Sequence, residues 1–479
     1  MKTVFVLGAV LCLTSAIHAQ QRDLKKEYND FRNKATQEYI RFRNLANTEY
    51  AMFVRQAWKE MEVEPAIPVP SPDPPIQPVC PQEEVPGPPR LLPFKGVIPN
   101  REPQVRPNPI EPIPEPIVPD SARVKFDYFG YECSIRANRD AAVRLPDCSG
   151  TSISIAWKQL SDGRHNAMLQ DCLHLRDELK LCDWGYLLLC RKLADAYYGS
   201  NTNDNVLLQA FILSQTGYKM RLARAEKRLF LLLPSDVTIY GRMWTRLDDG
   251  ISYYLFDSDY PKSGFIVCDF AFPEEKMFSL YINQLPTLPE NLTSCRLLTS
   301  ARFPETHIPI CSNKNLMDFF ATYPYCRWDV HALTPLSDQT KEALYPVLKK
   351  QIANKTQTEA ANILINFVQT AFQYKTDKDQ FGYERPLFAD ETLNYPYSDC
   401  EDRAILYSVL IRDLLGLDIV LLHYPTHLAT AVCFDENVTG DYLQIDGRRY
   451  IVCDPTYIGA DIGRTMPRMD NITAEVIRL

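Results

Sequence analysis

Twenty of the chain's 36 prolines fall between Pro65 and Pro119. Proline fixes φ and has no N–H, so such a stretch can be neither a helix interior nor a central strand. Alternation such as PIEPIPEPIVP, from Pro109 to Pro119, favours polyproline II. Residues 62–120 therefore read as an extended, poorly ordered linker, a semi-rigid spacer more than a ligand for a proline-reading domain. Whatever folds must lie before it and after it.

Before it, Lys2, the apolar run Val4–Leu13 and the small residues Ser15, Ala16 and Ala19 form a secretory signal over residues 1–19. The run is too short to cross a bilayer. Export to the periplasm or the medium is expected, and no later segment suggests a membrane span. Residues 20–61 carry an 11-residue repeat: EYNDFRNKATQ, EYIRFRNLANT and EYAMFVRQAWK. Eleven residues make nearly three helical turns, so Tyr28, Tyr39 and Tyr50 stripe one face with Phe31, Phe42 and Phe53. The amphipathic helix either docks on the body or self-associates, and it is expected to be separable from a core starting near Ser121.

The 479 residues are 46% hydrophobic, so the remainder can bury substantial cores. A net charge of −8 argues against nucleic acid as a partner. Fourteen cysteines become thirteen once Cys12 leaves with the signal, and an odd number implies a free thiol unless chains pair. The fold class is α+β. Residues 121–337 read as a mixed domain, with strands at 124–133, 151–157, 220–223, 229–233, 237–240 and 251–256. Helices fall at 169–198 and 206–217. Residues 338–479 form a second domain that opens with helices at 340–353 and 358–372.

Chemistry concentrates in that second domain. In SDCEDRAILYSVLIRDLLG, Ser398 or Asp399 caps a helix that Gly416 ends. Cys400 then lies in its first turn, where the helix dipole favours a thiolate. In the strand HLATAVCF, His427 shares a face with small residues, which leaves room for a helix end. In RRYIVCDPTY, Asp454 ends a strand at Pro455. Cys400, His427 and Asp454 fit the roles of nucleophile, base and orienter. His423, in a loop before Pro425, is a less constrained rival base. For the last two to meet, strand 427–433 must lie antiparallel beside strand 448–454. His427 then stands opposite Asp454, and Tyr442–Ile445 is an outer flap joined through the Asp446–Gly447 turn.

These residues resemble the transglutaminase-like superfamily, a papain-like fold, over roughly Thr340–Gly463. Asp399-Cys400-Glu401-Asp402 is similar to bacterial transglutaminase-like cysteine proteinases. The resemblance implies a cysteine hydrolase, peptidase or isopeptidase, working through a thioester on Cys400 with His427 as base and Asp454 as orienter. It equally allows a transamidase on the same triad; a cell-envelope binding or assembly protein with a vestigial triad is the third reading. After His427 the family's Ala-Trp is replaced by Leu428-Ala429, which weakens a cross-linker more than a hydrolase. Gln380 is a candidate oxyanion helper by loose analogy with papain-like enzymes. Asp399 and Glu401 would hold calcium in some relatives, although pairing with Arg385 or Arg403 also accounts for acids beside the thiol. No cofactor is otherwise required.

Residues 121–337 also echo the catalytic order as a degenerate transglutaminase-like copy. Setting Gly217 against Gly416 places Asn201 opposite Cys400 and Asp257 near the place of Asp454, and no histidine answers to His427.

Overall fold

The computed structural model describes residues 2–71, 77–81, 87–100, 107–109, 122–256, 261, 264–467, 469 and 471–479, without the side chains of residues 2–25. The side chains of the signal segment, the residues at 110–121, among them Ser121, and Asp257 lie outside the described residues.

The chain begins with helix α1 (Lys2–Gln56), strands β1 (Lys59–Met61) and β2 (Phe94–Ile98), and the hairpin β3 (Arg123–Tyr128) with β4 (Tyr131–Arg136). Helices α2 (Gly150–Leu160), α3 (Asn166–Glu178), α4 (Asp183–Tyr198) and α5 (Asn203–Gln215) follow. Then come strands β5 (Arg221–Ala225), β6 (Arg228–Pro234), β7 (Trp244–Arg246), β8 (Ser252–Leu255) and β9 (Phe265–Cys268). The hairpin β10 (Arg296–Thr299) with β11 (His307–Ile310) leads to α6 (Lys314–Phe320), α7 (Asp329–Ala332), α8 (Asp338–Ile352) and α9 (Gln357–Thr370). A short parallel pair, β12 (Gln373–Tyr374) and β13 (Tyr397–Ser398), brackets α10 (Asp377–Phe381) and α11 (Ala389–Asn394). Helix α12 (Cys400–Leu415) precedes β14 (Asp418–Tyr424), β15 (His427–Cys433), β16 (Tyr442–Ile445), β17 (Arg448–Cys453) and β18 (Ala474–Arg478).

The architecture is mixed α+β, and its two six-stranded sheets repeat one strand order. The first runs β7-β8-β6-β5-β9-β1 and the second β16-β17-β15-β14-β18-β2. In each, a buried helix (α5 or α12) feeds a tight antiparallel hairpin closed by Ala225↔Arg228 or Tyr424↔His427. The next two strands form a second hairpin whose later member returns beside the second strand. The fifth strand pairs antiparallel with the first. A strand from the segment after α1 completes the edge, antiparallel in the first sheet and parallel in the second.

Several expectations change here. Residues 151–157 are helix: Ser149 caps α2 by accepting from the N–H of Ser152, and Ile153, Ala156, Trp157 and Leu160 bury at helical spacing. Strand alternation would have buried Ile155, which is 55% exposed. Residues 237–240 form no strand beyond a bridge from Ile239 to Cys326. The segment after α1 is extended as expected, but in its described parts it is docked and not a loose spacer. It supplies β1 and β2, and Arg90 grips Asp441 at 2.7 Å. It seats the Asn108 carbonyl against Gly217, where a β-carbon would stand only 2.0 Å from that oxygen. Nor does α1 stand clear of the body. Tyr50 of the third repeat is buried against Trp157, with ring centroids 4.1 Å apart, whereas Tyr28 and Phe31 of the first are 63% and 72% exposed. Leu298, Ile308 and Ile310 pack into the C-terminal core, so that module begins before residue 338. A Cys295–Cys311 disulfide ties their hairpin.

Candidate active site

Helix α12 begins where the sequence places it. Asp399 is the N-cap, its backbone N–H donates to Asp402 Oδ2 (3.4 Å), and Cys400 is the first helical residue. Gly416 closes the helix in the left-handed region at φ +66°. Between them Ile405, Leu406, Tyr407, Val409 and Leu410 are buried, which fixes the helix against the sheet. Cys400 is fully buried; its Sγ accepts the N–H of Leu428 (3.4 Å) and its thiol donates to Glu401 Oε2 (3.3 Å). The start of β15 therefore lies directly on the helix N-terminus.

At that strand start, His427 Nε2 is 2.8 Å from Asp454 Oδ2, with both side chains buried. Its other ring nitrogen, Nδ1, is buried and among the described residues has no hydrogen-bond partner, Cys400 Sγ included. Asp454 Oδ1 accepts the N–H groups of Thr456 (2.9 Å) and Tyr457 (3.2 Å), so the carboxylate is held from both sides. Strand β17 lies between β15 and the outer β16, with Asp446–Gly447 as the turn, in the order that the triad demands. The register differs from the expected one: Thr430 pairs with Cys453, not with Ile451. A slip of two residues keeps every side chain on its face. His427 and Asp454 thus meet diagonally, still within reach of long side chains.

Gln369 of α9 is a residue that the sequence reading missed. Its Nε2 donates to the carbonyls of Asp454 (3.3 Å), Tyr457 (2.9 Å) and Ala460 (2.9 Å), and its Oε1 accepts from Gly459 (3.2 Å). One buried amide thereby fixes the loop that carries Asp454. The only sequence signal is a glutamine on the apolar face of a helix. Gln380, by contrast, is half-buried in α10, and among the described residues its side chain has no hydrogen bond that ties it to Cys400. His423 is not in a loop: it belongs to β14, pairs with Glu475 (3.6 Å) and packs on Trp328. Burial lowers its pKa, and it takes no part in the Cys400 cluster.

Acidic groups crowd Cys400. Oxygens of Asp377, Glu384 and Glu401 lie within 4.8 Å of one another, as do those of Asp377, Asp399 and Asp402. Asp399 and Glu401 thus fall into two adjoining groups that share Asp377. The backbone supplies part of their compensation: Asp377 Oδ2 accepts from Arg385 N (2.6 Å), Asp399 Oδ2 from Asp377 N (3.2 Å) and Asp402 Oδ1 from Leu387 N (2.8 Å). Arg403 stands in the field of Asp399 and Asp402, although the side-chain hydrogen bonds of Arg385 and Arg403 go to other groups. The Arg385 side chain pairs with Glu391. Arg403, whose pKa burial pushes down to about 10, donates to Ser398 Oγ and to the carbonyls of Gln369 and Phe372.

The first sheet carries the same frame with different residues. Asn203 opens α5 as Cys400 opens α12, and its Oδ1 accepts the N–H of Leu229 (2.9 Å) as Cys400 Sγ accepts that of Leu428. Its Nδ2 also donates to the Lys227 carbonyl (2.9 Å). Arg228, first residue of β6, stands where His427 opens β15. The counterpart of Cys400 is therefore Asn203, not Asn201, because α5 is shorter than α12. No family model, curated protein or solved structure matches the chain.

Proposed function

We propose that the C-terminal module is a cysteine hydrolase of the transglutaminase-like kind, acting on peptide or isopeptide bonds. The observation that carries this reading is the buried 2.8 Å contact between His427 Nε2 and Asp454 Oδ2, with Cys400 at a helix N-terminus on the adjoining backbone. Asp454 fixes the imidazole and leaves Nδ1 as the nitrogen that takes the thiol proton. Cys400 Sγ attacks the carbonyl carbon, the C–N bond breaks, and the amine leaves with the proton from His427. Water, deprotonated by His427, then cleaves the thioester. An amine in place of water makes the same site a transamidase.

Either acidic group, Asp377 with Glu384 and Glu401 or Asp377 with Asp399 and Asp402, suits a hard cation such as calcium. When bound, it would offset the negative field beside Cys400 and so favour the thiolate. The thiol bond to Glu401 supports the rival reading of a vestigial triad, because a carboxylate acceptor keeps the thiol protonated. The Cys295–Cys311 disulfide supports export to an oxidising compartment. No described helix is long and apolar enough to cross a membrane. The exposed Tyr28, Phe31, Tyr39 and Phe42 of the first two repeats of α1 suit self-association.

The test is a peptide-library digest with the wild type and Cys400→Ala. Cleavages present in the first and absent in the second are expected. Identical profiles would remove the enzyme reading.

A further inference from the structure

The proline-rich segment touches both modules, and it offers them mostly carbonyls, since prolines have no N–H to donate. Next to the first sheet, the carbonyls of Glu62, Pro65 and Ile67 accept from Thr245 Oγ1 (2.9 Å), Trp244 Nε1 (3.2 Å) and the N–H of Gly241 (2.9 Å). Val69 then lies against Gly241, where a β-carbon would stand 3.2 Å from its methyl. The carbonyl of Pro70 accepts from Tyr325 Oη (3.2 Å), and the Tyr325 ring packs on Tyr240 at 5.3 Å. An aromatic pair with a hydroxyl aimed at a carbonyl is how polyproline chains are held, because their carbonyls have no internal partners.

The next contacts fall on the two margins of the candidate active site. Ser71 Oγ donates to Glu384 Oε1 (2.5 Å), a carboxylate of the group that includes Glu401 beside the nucleophile. Gln77 Nε2 donates to the Thr456 carbonyl (3.3 Å), two residues beyond Asp454. Pro78 and Cys80 then pair as a strand with Ile458: Ile458 N–H to Pro78 O and Cys80 N–H to Ile458 O, both 2.9 Å. One anchor is thus on the nucleophile side and the other on the orienter side. Between these margins Cys400 and His427 are 0% exposed, Cys400 within a core that also holds Trp328, Leu421 and Leu428.

We infer that the margins of the triad form a cleft for an extended, proline-containing peptide, and that residues 67–71 and 77–80 fill it in cis. The inference rests on the hydrolase reading only for what happens to a bound peptide; the binding itself does not need a competent triad. Recognition runs through the Tyr240–Tyr325 pair on one side and strand addition to Ile458 on the other. A substrate or partner of the same class competes with the chain's own residues 67–71 and 77–80 for these margins, which the resting protein occupies itself.

Iodoacetamide labelling of Cys400, followed by peptide mapping, tests this without any turnover. Ser71→Ala, Gln77→Ala and Cys80→Pro together remove the polar anchors, the last by deleting an N–H. Labelling of Cys400 should rise at least ten-fold, while the core thiols Cys172 and Cys190 stay protected as a gauge of intact folding. Tyr325→Phe should give a smaller rise. A synthetic peptide with the sequence of residues 66–81 should restore protection to the triple variant, and a version with alanine for every proline should not. Unchanged labelling in both variants, or no protection by the peptide, would overturn the inference. Labelling that rises without any peptide cleavage would leave the cleft standing and sink the hydrolase reading alone.

Discussion

In the first sheet the helix opens with Asn203, and in the second with Cys400; both side chains accept from the N–H one residue past the hairpin turn, at Leu229 and Leu428. The frame that positions Cys400 is therefore present in both modules. Asn203 uses its amide to tie down the hairpin from two sides, a structural task that a thiol performs poorly. Arg228 in the histidine position cannot act as a base, since it stays protonated. The comparison separates what the fold needs from what chemistry adds: a polar residue at the helix start is needed in both, while a thiol, an imidazole and a held carboxylate occur together only in the second among the described residues.

The sharpest way to break the comparison is to exchange its key residue. Cys400→Asn should keep the fold and lower hydrolysis at least ~10³-fold, while Asn203→Cys should create no second activity. Cleavage that survives in Cys400→Asn would show that the modules differ elsewhere. Next in size is the orienter. Asp454→Asn should reduce kcat by ~10²–10⁴ with KM nearly unchanged, because the imidazole loses its hold and its preferred tautomer. An effect below two-fold would mean that the His427 contact is ornamental.

Stability should show the reverse asymmetry. Asn203→Ala leaves the Leu229 N–H and the Lys227 carbonyl without their partner and should cost ~1–3 kcal/mol by denaturant unfolding. Cys400→Ala removes a weaker acceptor and should cost less. Equal losses would erase the division between structural and chemical roles.

The comparison also extends to the seam between modules. His331 stacks on Phe388 (4.4 Å), which itself packs on Phe320 of the first core. Burial first, and the nearby Arg385 charge second, lower its pKa from 6.5 to about 3. A folded value below the unfolded one means that the unfolded chain takes up the proton first. The stabilising contribution is full above pH 6.5 and declines as pH falls towards 3, by about 2 kcal/mol at pH 5. Denaturant titrations at pH 7 and 5 should show that loss in the wild type and a smaller one in His331→Gln. Identical pH slopes would place the sensitivity elsewhere.

The candidate site was legible because Cys400, His427 and Asp454 each sit at an element boundary with local signals: an N-cap, a tight turn, an Asp-Pro stop. Strand β14 was missed as a strand because DIVLLHY is a continuous apolar run, which buried strands and helices share. Residues 151–157 misled because Ile153, Ile155 and Trp157 alternate, while the cap at Ser149 decides for helix. The linker's docking was not legible at all. Many of its contacts run through backbone carbonyls, which every residue has, and the side chains that join them, Ser71, Gln77 and Arg90, follow no periodic pattern. The register slip was equally hidden, since a shift of two residues preserves the hydrophobic face.

The most direct measurement asks whether Cys400 becomes acylated and whether His427 controls this. p-Nitrophenyl acetate is mixed with the wild type and with the variant lacking the Ser71, Gln77 and Cys80 anchors, quenched in acid, and mapped by mass spectrometry. The account predicts an acetyl group on Cys400 that forms faster in the released variant and turns over with time. His427→Ala should slow its formation at least ten-fold, and no acetylation should appear at Asn203 or elsewhere in the first module. Acetylation spread over the cysteines without preference, or a Cys400 rate that His427→Ala leaves unchanged, would contradict the assignment of a working triad to the second module.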